Sequence, residues 1–445
     1  MGAQAGGVRF LASLGMTGKR PWLVVLVLAL AYVGLTLARY QGDPLAFALP
    51  GTRYSQSDPQ GTWGYDGQFA YYIARDPAGG WRYCDVPAYR YQRILYPLLA
   101  RALAWGRPEA VAWTLIALNV VALAGGTYFT ERLLATWGAS RWYALAYGLY
   151  GGLVAGLRLD LSEPLAYGLV QAGLWVWVQG AGDKETGRQG DGETRRQGDG
   201  ETRRQGDKET GRRGDQETGR RGDQEQGARG KKRTGTCLTP FAICDLRFAI
   251  CCLLLSLAAL AKETALIAAG GLFLYLALER RWRETVQLGV VVGLPFVLWQ
   301  GVLWAWLGSP GVGAGGAMAT PFEWLPFAGL VRVATVKWSV FWLLLALEGP
   351  LFVLPTIWAL VASARDLARG RRHPWVTVLL AQAAALPFLP FSTWREPLAM
   401  ARLAAGLVAA TLLYGAWRRS RRVLAFSLVW LATLALLVNE GALPV

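Results

Sequence analysis

Long apolar stretches separated by short polar joints dominate this chain. They fall at about 21–39, 109–128, 142–157, 164–180, 247–261, 264–279, 285–305, 341–363, 375–391, 400–417 and 423–439. Many approach the roughly 20 apolar residues that a helix needs to cross a hydrocarbon core. Lipid offers no hydrogen-bond partner to an exposed backbone, so such stretches are expected to be helical. The pattern predicts an all-α polytopic membrane protein of about 11 transmembrane helices. No small-residue cleavage site follows the first stretch, which reads as a retained span.

Two segments break the pattern. Residues 40–108 form a large polar loop containing Tyr65-Asp66-Gly67-Gln68, Arg75-Asp76-Pro77 and Tyr89-Arg90-Tyr91-Gln92-Arg93. Within it, 94–105 is too short to span, and its apolar positions 94, 95, 98, 99 and 103 share one helical face, as in a helix lying on the membrane surface. Residues 182–229 are an octapeptide repeat of Gly, Asp, Glu, Arg, Gln and Thr that cannot bury a core. It reads as a tolerated insertion or an interaction tail. The expected organisation is a membrane module at 1–180 carrying the first outer loop, a cytoplasmic insertion at 181–236 and a second membrane module at 237–445. Lys262-Glu263 interrupts 247–279, which admits a hairpin of half-depth helices.

The formal charge of +16 would suit a nucleic-acid binder, but its distribution argues otherwise. Basic residues cluster at Lys19-Arg20, Arg280 to Arg283, Arg369 to Arg372 and Arg418 to Arg422, between apolar stretches. Placed inside, these clusters orient the chain with a cytoplasmic N-terminus and the loop at 40–108 on the outer face of the plasma (inner) membrane. The five cysteines show no CxxC spacing and the single histidine, His373, lies in a basic, inner cluster. Outer-face chemistry must then rest on carboxylates, Arg, Lys and Tyr, without a Ser/His triad or a cysteine- or histidine-built metal site.

Asp66 is a candidate general base, or simply the aspartate of an Asp-Gly turn. Arg90 and Arg93 suit a phosphate at headgroup level, or snorkel to ordinary lipid. Asp160 and Glu163 crowd one outer turn, although Glu163-Pro164 is also a helix start that Glu396-Pro397 repeats beside Arg395. Lys262 and Glu263 point about 100° apart on a helix and need not pair with each other: Lys262 suits a phosphate and Glu263 an arginine, or they form a structural ion pair between helices.

The string Tyr-Asp-Gly-Gln-Phe-Ala-Tyr-Tyr-Ile-Ala-Arg-Asp-Pro at 65–77, the run Tyr-Arg-Tyr-Gln-Arg-Ile-Leu-Tyr-Pro-Leu-Leu at 89–99 and Asp160-Leu161-Ser162-Glu163-Pro164 together resemble the GT-C superfamily of membrane glycosyltransferases. The nearest likeness is to phosphatidylinositol-glycan mannosyltransferase type V and its bacterial relatives. It covers roughly the first 180 residues, and 247–283 more weakly through Ala261-Lys262-Glu263-Thr264. The chain departs from those relatives at Tyr65, where they usually carry Trp, and in the length of the stretch from Asp66 to Arg93.

The resemblance implies a polyprenyl-phosphate-linked sugar as donor and a glycan, lipid or protein hydroxyl as acceptor. Asp66 would be the catalytic base, with Arg90, Arg93, Asp160, Glu163, Lys262, Glu263 and Arg395 around the substrates. Its members differ in divalent-metal use, and no ligand cluster stands out here. A transporter or flippase of lipid-linked glycan is the competing class, and a non-catalytic scaffold a third.

Overall fold

The computed structural model describes residues 20–180 and 240–437; the octapeptide tract lies outside them. The described residues are helical throughout, with one isolated antiparallel bridge between Pro50 and Gly64. The helices that matter for the site are α1 (Pro21–Arg39), α2 (Gly67–Arg75), α3 (Pro87–Tyr91), α4 (Leu95–Leu103), α5 (Val111–Thr136), α6 (Gly151–Arg158) and α7 (163–180). After the insertion come α8 (Pro240–Ala261), α9 (Ala265–Leu278), α10 (Trp282–Leu307), α11 (Ala328–Val336), α12 (Trp338–Ala368), α13 (Pro374–Ala385), α14 (Pro397–Leu403), α15 (Ala405–Trp417) and α16 (Arg421–Ser427). Proline opens α1, α3, α13 and α14, where its missing N–H costs nothing.

Among the described residues four helices are long and apolar enough to cross a membrane: Pro21–Arg39, Pro108–Thr136, Trp282–Leu307 and Trp338–Ala368. The pair α14–α15, bent by 47°, makes a fifth if read as one span. Leu246–Ala261, Ala265–Leu278 and Pro374–Phe388 are shorter apolar helices. Helices α8 and α9 meet at a break over residues 262–264. The stretch expected as a single span at 142–157 is instead three short pieces, Arg141–Ala144, Leu145–Gly148 and α6. Close packing explains the breaks. Tyr150 donates its hydroxyl to the Ala401 carbonyl at 2.6 Å, and Gly151 donates its N–H to Thr433 at 2.8 Å.

The described residues divide into two units, those within Met1–Trp175 with Cys251–Val445, and those within Val176–Ile250. The first carries every candidate residue. In it α1 packs on α5, α9 on α13, α13 on α15, and α6 on α14. Gln68, buried, accepts from Gly51 N–H at 3.0 Å and donates to the Trp63 carbonyl at 2.8 Å, which closes the loop ahead of α2. Arg101 donates to the Ala74 and Arg75 carbonyls, setting a cation at the negative end of α2 and fixing it to α4. Asn119 donates to the Tyr96 hydroxyl at 2.7 Å and the Gly156 carbonyl at 3.2 Å, joining α4, α5 and α6. Helix α4 buries Tyr96, Pro97 and Ala100 and leaves Leu98 and Leu103 exposed.

Candidate active site

Asp66 immediately precedes α2. An aspartate there ordinarily caps the helix with its side chain. This one makes no cap bond. Its Oδ1 faces Arg90 Nη1 at 3.0 Å and its Oδ2 faces Arg402 Nη2 at 3.4 Å. Gly67 makes that placement possible: a Cβ there would collide with the Leu159 carbonyl oxygen, so only glycine lets α2 start against the 159–163 turn.

Four cations converge on the same place, each held by a carboxylate. Arg90 donates from Nε and Nη2 to the two oxygens of Asp85, both at 2.7 Å, and lies over the Phe69 ring at 4.1 Å. Asp85 also accepts the Ala317 N–H at 2.9 Å, tying the glycine-rich loop after α10 to Arg90. Arg93, one turn further on, donates to both oxygens of Glu263 at 2.9 and 2.6 Å and to the Tyr89 hydroxyl at 2.7 Å. Glu163 Oε1 accepts from Lys262 Nζ and Arg402 Nε, both at 2.7 Å. Lys262 and Glu263 therefore serve different partners, and they do so from the break between α8 and α9 rather than from a helix. Arg402 reaches the Tyr65 hydroxyl at 3.1 Å, and Tyr65 donates to Glu396 at 3.0 Å.

Asp66, Arg90, Arg93, Asp160, Glu163 and Arg402 line one cavity of about 40 Å³. A water needs roughly 10–15 Å³ on such a measure, so the cavity holds a few waters and not a sugar without movement. Asp160 lies on its wall, fully buried, with both carboxylate oxygens lacking a hydrogen-bond partner and φ at +48°. The second oxygen of Glu163 is likewise unpaired. Burial works to raise the Asp66 pKa, but the guanidiniums of Arg90, Arg402 and Arg93 and the Lys262 ammonium outweigh it and hold this carboxyl below the ordinary range. Asp85 is lowered in the same way, its burial outweighed by Arg90 and by the Ala317 and Val86 N–H groups.

Seven of the eight residues anticipated from sequence thus meet here: Asp66, Arg90, Arg93, Asp160, Glu163, Lys262 and Glu263. Arg395 does not join them. It precedes the α14 helix, is exposed and lies 5.9 Å from the Phe391 ring. Arg402, on the inward face of α14, takes the place expected for it. Sequence reasoning missed Arg402 although it carried a signal, a charge inside the apolar run 400–417. Asp85 and Glu396 carried none. Among the described residues no group of three or more His, Cys, Asp or Glu side chains is arranged to hold a metal ion. No protein-family model, curated protein or solved structure matches the chain.

Proposed function

We propose that this chain is an integral-membrane glycosyltransferase of the GT-C type. It would move a sugar from a polyprenyl phosphate to an acceptor hydroxyl at the outer face. The observation that carries the reading is an aspartate in the first loop that forgoes its helix cap and turns into a cleft walled by Arg90, Arg93 and Arg402. The acceptor hydroxyl attacks the anomeric carbon and forms the new C–O bond. Asp66 takes the hydroxyl proton. The bond from the anomeric carbon to the phosphate oxygen breaks, and the phosphate leaves with the electron pair. The arginines stabilise the charge that develops on it. A single displacement inverts the sugar.

The same reading sets about 11 spans, some of them broken helices, with the N-terminus and the basic clusters inside. The decisive experiment is transfer by purified protein from a synthetic polyprenyl-phosphate sugar, compared with Asp66→Asn. The variant should fold and lose about 10²–10⁴ in turnover, the usual worth of a positioned general base. Asparagine serves nearly as well as aspartate in a turn. Near-normal transfer by Asp66→Asn therefore rejects the assignment.

One observation favours a second reading, a transporter or flippase of lipid-linked glycan. Glu348 is fully buried in the long helix α12, at the start of the π-turn Gly349–Val353, and neither of its oxygens has a hydrogen-bond partner. A long apolar helix that carries a π-turn beside a buried carboxylate suits transport. Translocation of a lipid-linked sugar in proteoliposomes, lost in Glu348→Gln and without sugar transfer, would select this reading.

A further inference from the structure

Each arginine at the cleft already faces a carboxylate. Arg93 is met by both oxygens of Glu263, and Arg90 by both oxygens of Asp85. Arg402 is met through Nε by Glu163. The remaining nitrogens Arg90 Nη1 and Arg402 Nη2 both face Asp66, so an anion entering between these two arginines must displace that carboxylate. The four carboxylates differ in how firmly they are held. Asp85 and Glu263 each grip one guanidinium through two bonds, and Glu163 receives two donors at 2.7 Å. Asp66 meets one nitrogen of each of two different arginines, at 3.0 and 3.4 Å. It is also the most exposed, at 32 % of its side chain, against 5 % for Asp85, 1 % for Glu163 and 25 % for Glu263.

We propose that the space between Arg90 Nη1 and Arg402 Nη2 is an oxyanion site for a phosphate or diphosphate group, and that the Asp66 carboxylate fills it in the resting protein as a stand-in which the ligand displaces. The two nitrogens come from arginines that Asp85 and Glu163 hold in place without Asp66, so both stay aimed when Asp66 leaves. A phosphate presents more oxygens and more charge than one carboxylate, and guanidinium recognises it strongly.

The consequence for Asp66, which rests on the proposed function, is a binding order. Paired to two guanidiniums, its carboxylate is a weak proton acceptor; released, and next to an anion, it is a stronger one. The anionic substrate binds first and so arms the base for the acceptor.

The groups around Asp66 are Arg90, Arg93 and Asp85 from the first loop, Arg402 from α14, Lys262 from the break after α8, and Asp160 and Glu163 from the turn before α7, with Tyr65 and Tyr54 beside them. None is a histidine. Of the carboxylates, Asp66 is the one that exchange deprives of partners. Anion binding should therefore be coupled to proton uptake by Asp66.

The test is calorimetry on the purified full chain in detergent. Sulfate is the first probe, because it does not itself titrate at about pH 4.5, near the carboxylate range. Two buffers of different ionisation enthalpy report the protons taken up. Farnesyl phosphate at neutral pH is the second probe. Asp66→Asn removes the competing charge and should bind anion about tenfold more tightly than the unmodified chain. Sulfate binding to the unmodified chain should carry proton uptake that Asp66→Asn lacks.

A tightening seen with both probes means that the headgroup alone occupies the site. A tightening confined to farnesyl phosphate means that the occupant is lipid-borne. Equal or weaker anion binding by Asp66→Asn with both probes, no binding of either, or sulfate binding without proton uptake overturns the proposal. None of these measurements requires sugar transfer. Intact exchange without transferase activity would reject the proposed function and leave this site standing.

Discussion

Glu163→Gln is the substitution whose cost the geometry defines best. One carboxylate oxygen receives Lys262 Nζ and Arg402 Nε, each at 2.7 Å, while the three side chains are 1 %, 2 % and 9 % exposed. At an effective dielectric of about 20, each contact is worth roughly 6 kcal/mol before desolvation. Most of that repays the burial of the charges. The measurable quantity is what happens when one partner goes: two cations remain buried with an amide between them, and breaking a buried pair in this way costs about 3–5 kcal/mol. The double variant Glu163→Gln with Lys262→Met removes one of the stranded charges and should recover a substantial part of the loss.

The assay is unfolding of the purified chain in detergent, followed by maleimide labelling of Cys251 and Cys252. Both are free, fully buried and lie on α8, the helix that leads to Lys262. A cost below about 1 kcal/mol for Glu163→Gln, or a double variant no more stable than the single, would show that the three groups are not coupled as the distances require.

Gly67→Ala should cost about 1–3 kcal/mol, the usual range for overpacking, because the new methyl meets the Leu159 backbone rather than a movable side chain; denaturant unfolding together with transfer assays tests this, and unchanged behaviour in both refutes it. Arg402→Gln should shift upward the acid limb of the kcat/KM profile, which reports the protein before substrate displaces Asp66. Arg402 helps to lower the Asp66 pKa, the active base is the ionised form, and a higher pKa makes activity fall off at higher pH as protons are added. An unmoved limb would separate Asp66 from the proton transfer. Arg93→Lys keeps a charge against Glu263 but loses the two-bonded fork, so it should retain part of the activity, whereas Arg93→Ala should retain little; equal donor affinity in Arg93→Ala and the unmodified chain would remove Arg93 from the donor site.

The spacing of apolar runs was enough to anticipate an all-helical chain, because backbone groups placed in lipid must bond within their own segment. The aspartate and the arginine pair at 90 and 93 were legible through the polar loop that interrupts the apolar runs, and the Glu163 turn as charge at the edge of a span, where it is costly. Lys262-Glu263 was legible as a charged interruption of an apolar run; the separate partners arise because the two residues sit in the break between α8 and α9, not from helical spacing. What sequence left undecided was pairing. Glu163 and Arg402 are 239 residues apart and Arg93 and Glu263 are 170 apart, so no local rule joins them. Arg395 and Arg402 show the limit plainly. Both are arginines near the start of α14, and only the entry of that helix into the packed unit decides that Arg402 faces Asp66 while Arg395 is exposed. The loss of the Asp66 cap is of the same kind: propensity favours a capping bond, and two guanidiniums brought in by other segments outweigh it. Periodicity and polarity are properties of neighbouring residues and can be read from the chain. Which charge meets which depends on contacts between distant segments, and only the tertiary structure decides those.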